Sequence, residues 1–378
     1  MDNLKSVSCA IALAFPPALR NPINPRPPGE SIDIQGIPQV QEARLLATGG
    51  YNSVLLVKLH EPLEVSHPAT TLSYTTSTLI HQFALRLPGE DSLLPNQITN
   101  DVAFKRFVAA KLPHIPVPKV YLYSATHQAD TSFIVEEYID CPTLSSTWMS
   151  LSNPQKENIA QKLATMTVDL AEVRFDLIGG LNPIDFSSAP TVEGSKLFKG
   201  RGKFHRNECY PIGPYKSTKE YILNCYDREI YYYSHASDED IDADFFSEVT
   251  VPDFVKTLTE ERAALTEVNI TDEPFVLVHG DFHGRNILAK GDQIMAVIDW
   301  DFAGSYPLSE TLTSGDVDVV EAVSEELDEE NDEWGLKIRQ FIQREVIKRG
   351  WDPVHIDLLM GDGDQEVARA RVEMIPWE

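Results

Sequence analysis

The residues best suited to chemistry lie in one short polar segment, HGDFHGRN, which runs from His279 to Asn286. It contains Asp281, and a second carboxylate, Asp299, follows in the sequence VIDWD. A carboxylate beside a hydroxyl can orient it and accept its proton, and carboxylate and amide oxygens are ligands that Mg²⁺ prefers. The pattern therefore suits phosphoryl transfer from ATP, with Asp281 as base and Asn286 and Asp299 as magnesium ligands.

Apolar runs on both sides of this segment predict the strands that position it. Phe275 to Val278 is too short for a stable helix and rich in Val, which indicates a buried strand entering a loop. The runs at 287–289 and 293–298 flank a Lys-Gly-Asp turn and predict a β-hairpin with Gly291 and Asp292 at its turn. We therefore expect the polar side chains to meet at strand ends.

The segment resembles the aminoglycoside phosphotransferase and choline kinase group of kinase-like enzymes, which typically carries HGDxHxxN and then IDW or IDF. The spacing H-x-D-x-x-x-x-N also occurs in protein kinases, but these show HRD and DFG triplets. His283 and Trp300 therefore favour the small-molecule branch. The structural alternative is a surface hairpin that is acidic by chance, in a chain with 58 acidic residues.

The resemblance implies different roles for the residues of the segment. Asp281 is expected to be the catalytic carboxylate. His279 and His283 are expected beside it, and bracing the loop by hydrogen bonds is favoured over acid–base work. Arg285 has two interpretations, a contact with phosphate and a structural salt bridge.

A glycine-containing hairpin is predicted near the start of the chain, where ARLLATGGYNSVLLVKL indicates strand, turn and strand. Gly49 and Gly50 allow the backbone to approach a ligand closely, so the loop that includes Asn52 and Ser53 could bind ATP phosphates. The resemblance supports this position, because Gly50, Tyr51 and Asn52 match a turn that is common in the family.

The next strand, LIHQFALRLPGE, places Arg86 where protein kinases carry a phosphate-binding lysine. Many enzymes of the resembling group have R-x-P here, and Lys58 on the preceding strand is the rival. A helix over DVAFKRFVAAKL is expected to be capped by Thr99 or Asn100. Its Asp101 is either the acidic partner of Arg86 or an ordinary acid at a helix N-terminus.

The predicted fold is α+β, a bilobal protein-kinase-like fold with a small antiparallel-sheet N-lobe and a larger, mostly helical C-lobe. Residues 1–40 form a proline-rich N-terminal extension, 41–140 the nucleotide-binding N-lobe and 141–378 the catalytic and acceptor-binding C-lobe. The N-lobe is expected to end at a hinge, where the resemblance places adenine against the backbone of Glu137, Tyr138 and Ile139. The Thr- and Ser-rich stretch Glu61 to Thr78 predicts a long loop.

Several features of the C-lobe have more than one interpretation. Asn153 is expected to cap a helix. A helix within Tyr221 to Phe246 either packs in the core or walls an acceptor pocket. The acidic run from Glu321 to Trp334 predicts a solvated helix face or loop, or a cation-binding surface, ahead of an amphipathic helix. The resemblance makes Phe302 to Glu333 the region expected to contact the acceptor.

Composition excludes several function classes. With 32 basic and 58 acidic residues the net charge is −26, which argues against nucleic acid and anionic membranes and is compatible with a cationic acceptor. The four cysteines form no C-x-x-C pair or zinc spacing, so reduced thiols and a cytoplasmic location are expected. No apolar run is long enough to span a membrane.

The predicted function is therefore phosphorylation of a small-molecule hydroxyl with ATP and Mg²⁺. The alternative is a catalytically weak or inactive kinase-fold nucleotide-binding protein, because the glycine loop and Arg86 depart most from the expected pattern. A protein kinase is disfavoured by the missing triplets. Aminoglycosides, choline-like amines, sugars and secondary metabolites are all open as acceptors.

Overall fold

The computed structural model describes most of the chain, and its residues fall into two compact units. The described residues are 31–32, 40–68, 75–89, 92–186, 202–237, 239–241, 243–246, 248–312, 317–361, 374 and 376. The first unit ends at Asp140 and the second begins at Cys141. Most of the proline-rich stretch at 1–40 lies outside the described residues.

The first unit contains an antiparallel sheet with one long helix. The strands are β1 (Ser31–Ile32), β2 (Val40–Thr48), β3 (Asn52–Pro68), β4 (Thr75–Pro88), β5 (Val120–Ser124) and β6 (Phe133–Glu136). They pair in the order β1-β2-β3-β4-β6-β5. Alternate side chains along the central strands, among them Leu55, Phe83 and Leu85, are fully buried in one apolar cluster. The period-2 pattern of the sequence produces this buried face.

The prediction of a long loop from Glu61 to Thr78 was wrong at both ends. Strand β3 continues to Pro68 and β4 begins at Thr75, and their pairing extends from Leu63–Ile80 to Pro68–Thr75. The stretch is polar, but its Thr and Val residues are β-branched and favour extended backbone. Residues 69–74 lie outside the described part of the chain.

Helix α1 spans Asn96–Lys111 and begins one turn earlier than the predicted cap at Thr99 or Asn100. Pro95 precedes it, and the side-chain oxygen of Gln97 accepts a hydrogen bond from the backbone N–H of Leu93. Because the helix starts this early, Asp101 lies beyond its first turn. The interpretation of Asp101 as an N-terminal helix acid is therefore wrong.

The second unit is mostly helical. Its helices are α2 (Leu144–Thr147), α3 (Asn153–Ala171), α4 (Thr218–His235), α5 (Val251–Glu267), α6 (Glu325–Lys348) and α7 (Pro353–Leu359). Tyr226 and Tyr233 of α4 are buried, and the Tyr233 ring lies 5.2 Å from that of Phe254 on α5. This supports the packing interpretation of α4. The predicted α+β class is confirmed.

Short strands in the second unit carry the polar segment. They are β7 (Arg174–Phe175), β8 (Phe275–Val278), β9 (Ile287–Lys290), β10 (Gln293–Val297) and β11 (Gly304–Pro307). Strand β8 pairs with β7 and β11, and β9 and β10 form the predicted hairpin, with a register irregularity between Ile294 and Ala296. The polar segment connects β8 to β9.

From Glu325 onward the acidic run forms the first turns of α6, which continues without a break into the predicted amphipathic helix. The carboxylate of Glu330 accepts hydrogen bonds from Trp148 Nε1 at 2.7 Å and Lys156 Nζ at 2.5 Å. Trp334 packs edge-on against Trp148 with ring centroids 5.3 Å apart. Part of the acidic run therefore fixes α6 to the core, while the other acids face solvent.

Among the helices in the described part of the chain, none is both long enough and apolar enough to cross a membrane.

The start of α3 differs from the prediction by one residue and yields a test. Ser152, not Asn153, is the N-cap, and the Gln155 side-chain oxygen accepts hydrogen bonds from the Ser152 backbone N–H at 3.0 Å and hydroxyl at 2.8 Å. Ser152→Ala is expected to lower the free energy of unfolding by about 1 kcal/mol. Asn153→Ala is the matched control and should change it by less than about 0.5 kcal/mol in urea unfolding. Equal losses in the two variants would contradict the assignment.

Candidate functional site

The Asp281 carboxylate lies at the centre of a hydrogen-bonded loop. The Asn286 amide donates to its Oδ2 at 3.0 Å and to the Asp281 carbonyl oxygen at 3.0 Å. His283 Nε2 lies 3.0 Å from Oδ1, and the half-exposed Arg285 reaches the carboxylate at 3.4 Å. Donors on both oxygens fix the orientation of a side chain that is only 9% exposed. Arg285 thus makes the salt bridge that was one of its two interpretations.

His279 braces the loop from behind. Its Nδ1 accepts a hydrogen bond from the backbone N–H of Asp281 at 3.3 Å, and its Nε2 lies 3.1 Å from the Ile298 carbonyl oxygen. These partners require a neutral ring with the proton on Nε2. Burial lowers the pKa of His279 to about 4, although the charges of Asp281 and Asp299 act in the opposite direction. A permanently neutral ring at pH 7 fits bracing rather than acid–base catalysis.

The end of the hairpin places the backbone just before Asp299 against Asn286. The backbone N–H of Ile298 donates to the Asn286 carbonyl oxygen at 2.9 Å, which places the residue before Asp299 against the loop. Asp299 has φ of 62°, the left-handed region, which Asp tolerates better than most residues. Such backbone strain at a polar residue is typical of functional sites.

The donor set of these two residues suits magnesium. Both N–H groups of the Asn286 amide are engaged by Asp281, so its oxygen is the atom that remains to bind a cation. Within the described residues, no group of three or more His, Cys, Asp or Glu side chains is arranged to hold a metal. A site with one carboxylate and one amide fits Mg²⁺, which keeps waters and shares phosphate oxygens instead of filling an all-protein cage.

Two glycines allow the loop to pack directly against neighbouring backbone. Gly280 has φ of +79°, and a Cβ there would overlap the Phe302 carbonyl oxygen. A Cβ at Gly284 would overlap the carbonyl oxygen of Val319. The HGDFHG sequence therefore carries glycine where any side chain would displace the loop.

The hairpin that follows the loop is anchored at both ends. The backbone N–H of Ala289 in β9 donates to Pro142 O at 3.0 Å. At the turn, Asn158 and Lys162 of α3 donate to the Asp292 carboxylate at 2.7 Å and to its backbone carbonyl at 2.8 Å. The predicted hairpin is thus a fixed element and not a mobile surface turn.

In the first unit, Arg86 belongs to a buried group of alternating charges. Its guanidinium lies 3.1 Å from the Asp101 carboxylate, and Lys105 Nζ lies 2.7 Å from Asp101 and 2.6 Å from Glu136. All four side chains are at most 6% exposed. The rival Lys58 is 39% exposed and pairs with Glu42 at 2.8 Å. Arg86 is therefore the inward cation, and Asp101 is its partner.

Lys105 and Glu136 were not singled out from the sequence. Burial alone would lower the pKa of Lys105, but the charges of Asp101 and Glu136 outweigh it and the pKa is raised. Lys105 is therefore charged, and the four residues together are neutral. The signal was present, because Asp101 and Lys105 are four residues apart on one helix, a spacing that favours ion pairs.

The glycine hairpin between β2 and β3 forms as predicted. Thr48 pairs with Ser53, and the Gly49 N–H donates to Asn52 O at 2.8 Å. The Tyr51 carbonyl accepts from Gly89 N at 2.5 Å and Ser92 Oγ at 2.6 Å. Neither Gly49 nor Gly50 has a positive φ or a crowded Cβ position, so the fold itself does not require glycine there.

The residues predicted to bind adenine follow strand β6. The backbone N–H of Glu137 already donates to Lys119 O at 2.9 Å. The Tyr138 hydroxyl donates to the Asp140 carboxylate at 3.0 Å. Adenine binding by Glu137, Tyr138 and Ile139 stays a prediction, and the Glu137 N–H is already engaged within the first unit.

The predicted site residues thus form a separate group in each unit. His279, Asp281, His283, Asn286 and Asp299 lie together in the second unit. In the first unit Arg86 and Asp101 are paired, and Gly49 to Ser53 form one turn.

Residues 69–330 match the model of the phosphotransferase enzyme family, APH. The match includes β4 with Arg86, helix α1 and the complete polar segment. It confirms the resemblance identified from the sequence and the predicted kinase-like α+β fold.

Curated relatives match over shorter regions. The chain is 27% identical over 167 residues to the Altered inheritance of mitochondria protein 9, mitochondrial, of Kluyveromyces lactis, which covers 39% of this chain and 26% of that protein. It is 27% identical over 146 residues to a subtelomeric hrmA-associated cluster protein of Aspergillus fumigatus, covering 36% of this chain and 24% of that protein. The chain thus spans about a quarter of the length of these relatives.

Solved structures that resemble the chain include aminoglycoside phosphotransferases. The crystal structure of APH(4)-Ia has 14% sequence identity and a TM-score of 0.45, and the match covers 88% of this chain and 95% of that chain. The streptomycin-ATP-APH(2'')-IIa ternary complex has 16% identity and a TM-score of 0.45, with coverage of 85% and 81%.

Buried histidines predict how stability depends on pH. Burial, aided by the positive charge of Arg228, lowers the pKa of His205 to about 4, as burial does for His279. In the unfolded chain a histidine has a pKa near 6.5, whereas in the folded chain each of these two histidines has a pKa of about 4 and stays neutral down to that pH. The free energy of unfolding should therefore fall as the pH drops from 6.5 to 4, by at most about 3 kcal/mol for each histidine.

His205→Gln should remove about half of this decrease in the free energy of unfolding, and the half caused by His279 should remain. Urea unfolding at several pH values between 4 and 7 measures the difference. A pH profile of stability that is identical in wild type and His205→Gln would contradict the prediction.

Proposed function

The chain belongs to the phosphotransferase enzyme family, and from this premise we propose that it transfers the γ-phosphoryl group of ATP to a hydroxyl of a small molecule. The observation that carries the proposal is the Asp281 carboxylate, held by donors on both oxygens and linked through Asn286 to the residue before Asp299. This arrangement supplies a fixed base and two oxygen ligands, the parts that phosphoryl transfer requires.

Asp281 is proposed to orient the acceptor hydroxyl and take its proton. Phosphoryl transfer needs little covalent chemistry from the protein, so the position of the hydroxyl matters most. Asn286 and His283 hold the carboxylate against rotation, and the neutral His279 fixes the backbone N–H of Asp281. The proton moves from the hydroxyl oxygen to a carboxylate oxygen of Asp281.

Asn286 and Asp299 are proposed to hold magnesium through the amide oxygen and the carboxylate. When bound, Mg²⁺ neutralises the charge of the phosphate oxygens. The left-handed backbone at Asp299 fixes the position of its side chain directly after the rigid hairpin.

Nucleotide binding is proposed for residues of the first unit. Arg86 would contact phosphate with its guanidinium, which carries a fixed charge and a planar donor fork, while Asp101 keeps it oriented. Gly49, Gly50, Asn52 and Ser53 would offer backbone N–H groups to the phosphates. The uncrowded Gly50 supports this, because the fold does not need glycine there and a closely approaching ligand would.

The acceptor is proposed to be a small hydroxyl compound, with cationic compounds favoured. A net charge of −26 attracts amines and repels anionic acceptors. Aminoglycosides, choline-like amino alcohols, sugars and secondary metabolites are therefore the compounds to test. The absence of a basic excess argues against nucleic acid as the acceptor.

The direct test is an ADP-release screen of these compounds with MgATP, comparing wild type with Asp281→Asn. The isosteric amide keeps the shape of the side chain but cannot accept the proton, so turnover should fall by at least about a hundredfold. ATP affinity, measured with a fluorescent ATP analogue, should stay within about twofold, because Asp281 is not proposed to bind nucleotide.

Asp272→Asn is the matched control for this screen. Asp272 is an exposed acid of the second unit whose carboxylate accepts a hydrogen bond from Thr218 N at 2.9 Å. This variant should keep wild-type turnover. Unchanged turnover in Asp281→Asn would remove the proposed base, and nucleotide binding without any phosphorylated product in wild type would favour a non-catalytic nucleotide-binding protein.

The choice between Arg86 and Lys58 can be tested by ATP affinity. Arg86→Lys keeps the charge beside Asp101 but loses the planar fork, and should weaken ATP binding by about tenfold, the equivalent of one charge-assisted hydrogen bond. Lys58→Met removes an exposed charge paired with Glu42 and should leave affinity unchanged. Weaker binding in Lys58→Met alone would reverse the assignment.

A further inference from the structure

A short segment of the second unit lies directly against the catalytic loop. Residues 317–320, here called the strap, follow the 3₁₀ turn Leu308–Leu312 and precede helix α6. The backbone N–H of Gly284 donates to the Asp318 carbonyl oxygen in the strap at 2.7 Å. Because a Cβ at Gly284 would overlap the Val319 carbonyl oxygen, the two backbones touch with no side chain between them.

One side chain of α6 holds the strap. Asn331 Oδ1 accepts hydrogen bonds from the backbone N–H groups of Val319 at 2.9 Å and Val320 at 3.0 Å, and Asn331 Nδ2 donates to the Val320 carbonyl at 3.0 Å. Asn331 is 8% exposed. A carboxylate, an alcohol or an aliphatic group could not make all three bonds at once, because the amide alone presents a strong acceptor and donors on a planar end.

The helix that carries Asn331 is itself fixed. The preceding residue, Glu330, is bonded to Trp148 and Lys156, and Trp334 packs on Trp148 one turn further along. Asn331 therefore holds the strap at a fixed position relative to helix α6.

Gly284 stands between the two residues that orient the catalytic carboxylate. His283 contacts Asp281 Oδ1 and Asn286 donates to Oδ2, each at 3.0 Å, and the Asn286 N–H closes a turn on the His283 carbonyl at 2.9 Å. A shift of the strap moves Gly284 and hence the turn that carries both donors.

We propose that Asn331 is a positioning residue for Asp281, acting through the strap and Gly284. The inference rests on the proposed function, because it assigns Asn331 an effect on the catalytic carboxylate without contact to substrate. The effect should be on kcat, since small misplacements of a catalytic group slow the reaction strongly. The residues proposed to contact the nucleotide itself belong to the first unit, so the affinity for ATP measured without Mg²⁺ should be unchanged.

The first experiment measures ADP release from MgATP with water as the acceptor. Asn331→Ala should lower kcat by about ten- to a hundredfold, while its affinity for ATP measured without Mg²⁺ stays within about twofold of wild type. Asp332→Ala is the matched control, because Asp332 is the exposed neighbour of Asn331 on α6 and makes none of the hydrogen bonds that hold the strap. It should leave kcat unchanged.

The second experiment does not depend on activity. Hydrogen exchange of the peptide containing the Gly284 amide should be at least about tenfold faster in Asn331→Ala than in wild type, because its acceptor on the strap is released. Asp332→Ala should keep wild-type exchange there. If wild type releases no ADP with any acceptor, the proposed function fails, and the exchange result still decides whether Asn331 holds the loop.

A second variant covers the case in which Asn331→Ala does not fold. Asn331→Ser keeps a neutral hydroxyl that can bond the strap but cannot make all three bonds, so it should fold and show a smaller loss of kcat. The proposal is overturned by unchanged Gly284 exchange, by wild-type kcat in both variants, or by a loss of kcat accompanied by an equal loss in Asp332→Ala.

Discussion

The two hydrogen bonds from the Asn286 amide to Asp281, one to the carboxylate and one to the carbonyl oxygen, determine the geometry of the polar loop between β8 and β9. They tie a potential base to a potential metal ligand and leave only the oxygen of the amide to face a cation. A loop closed this tightly needs glycine where it meets other backbone, and Gly280 and Gly284 supply it. The strap, the hairpin and the neutral His279 then hold the loop from three sides.

The first unit is stabilised by a buried group of paired charges. Arg86, Asp101, Lys105 and Glu136 form two cations and two anions that compensate one another out of contact with water. Removing one member of such a group leaves an unpaired charge and typically costs about 3–5 kcal/mol. Lys105 balances Glu136 and shares Asp101 with Arg86. A buried group of this kind specifies one arrangement of strand and helix.

The polar segment was predictable because its signals are local. Residue type, spacing and two apolar flanks specify the loop and its hairpin, and the family match agrees with them. The features that could not be predicted from the sequence depend on contacts between residues that are far apart in the chain. Asn331 is a single amide within an acidic run, and the neighbouring sequence does not indicate that it binds residues 317–320. The strands at Glu61 to Thr78 were missed because their pairing outweighs their polarity. Helix boundaries shifted where Pro95 and Ser152 start helices earlier than the predicted caps.

The claim that Asn286 and Asp299 form a magnesium site can be examined by binding alone. Mn²⁺ substitutes for Mg²⁺ and is visible by electron paramagnetic resonance, so its affinity can be titrated in the presence of AMP-PNP. Asp299→Asn preserves the size of the side chain and its tolerance of left-handed backbone, and removes only the charge. The account predicts that this variant binds Mn²⁺ at least about tenfold more weakly than wild type. Mn²⁺ affinity equal to that of wild type would contradict it.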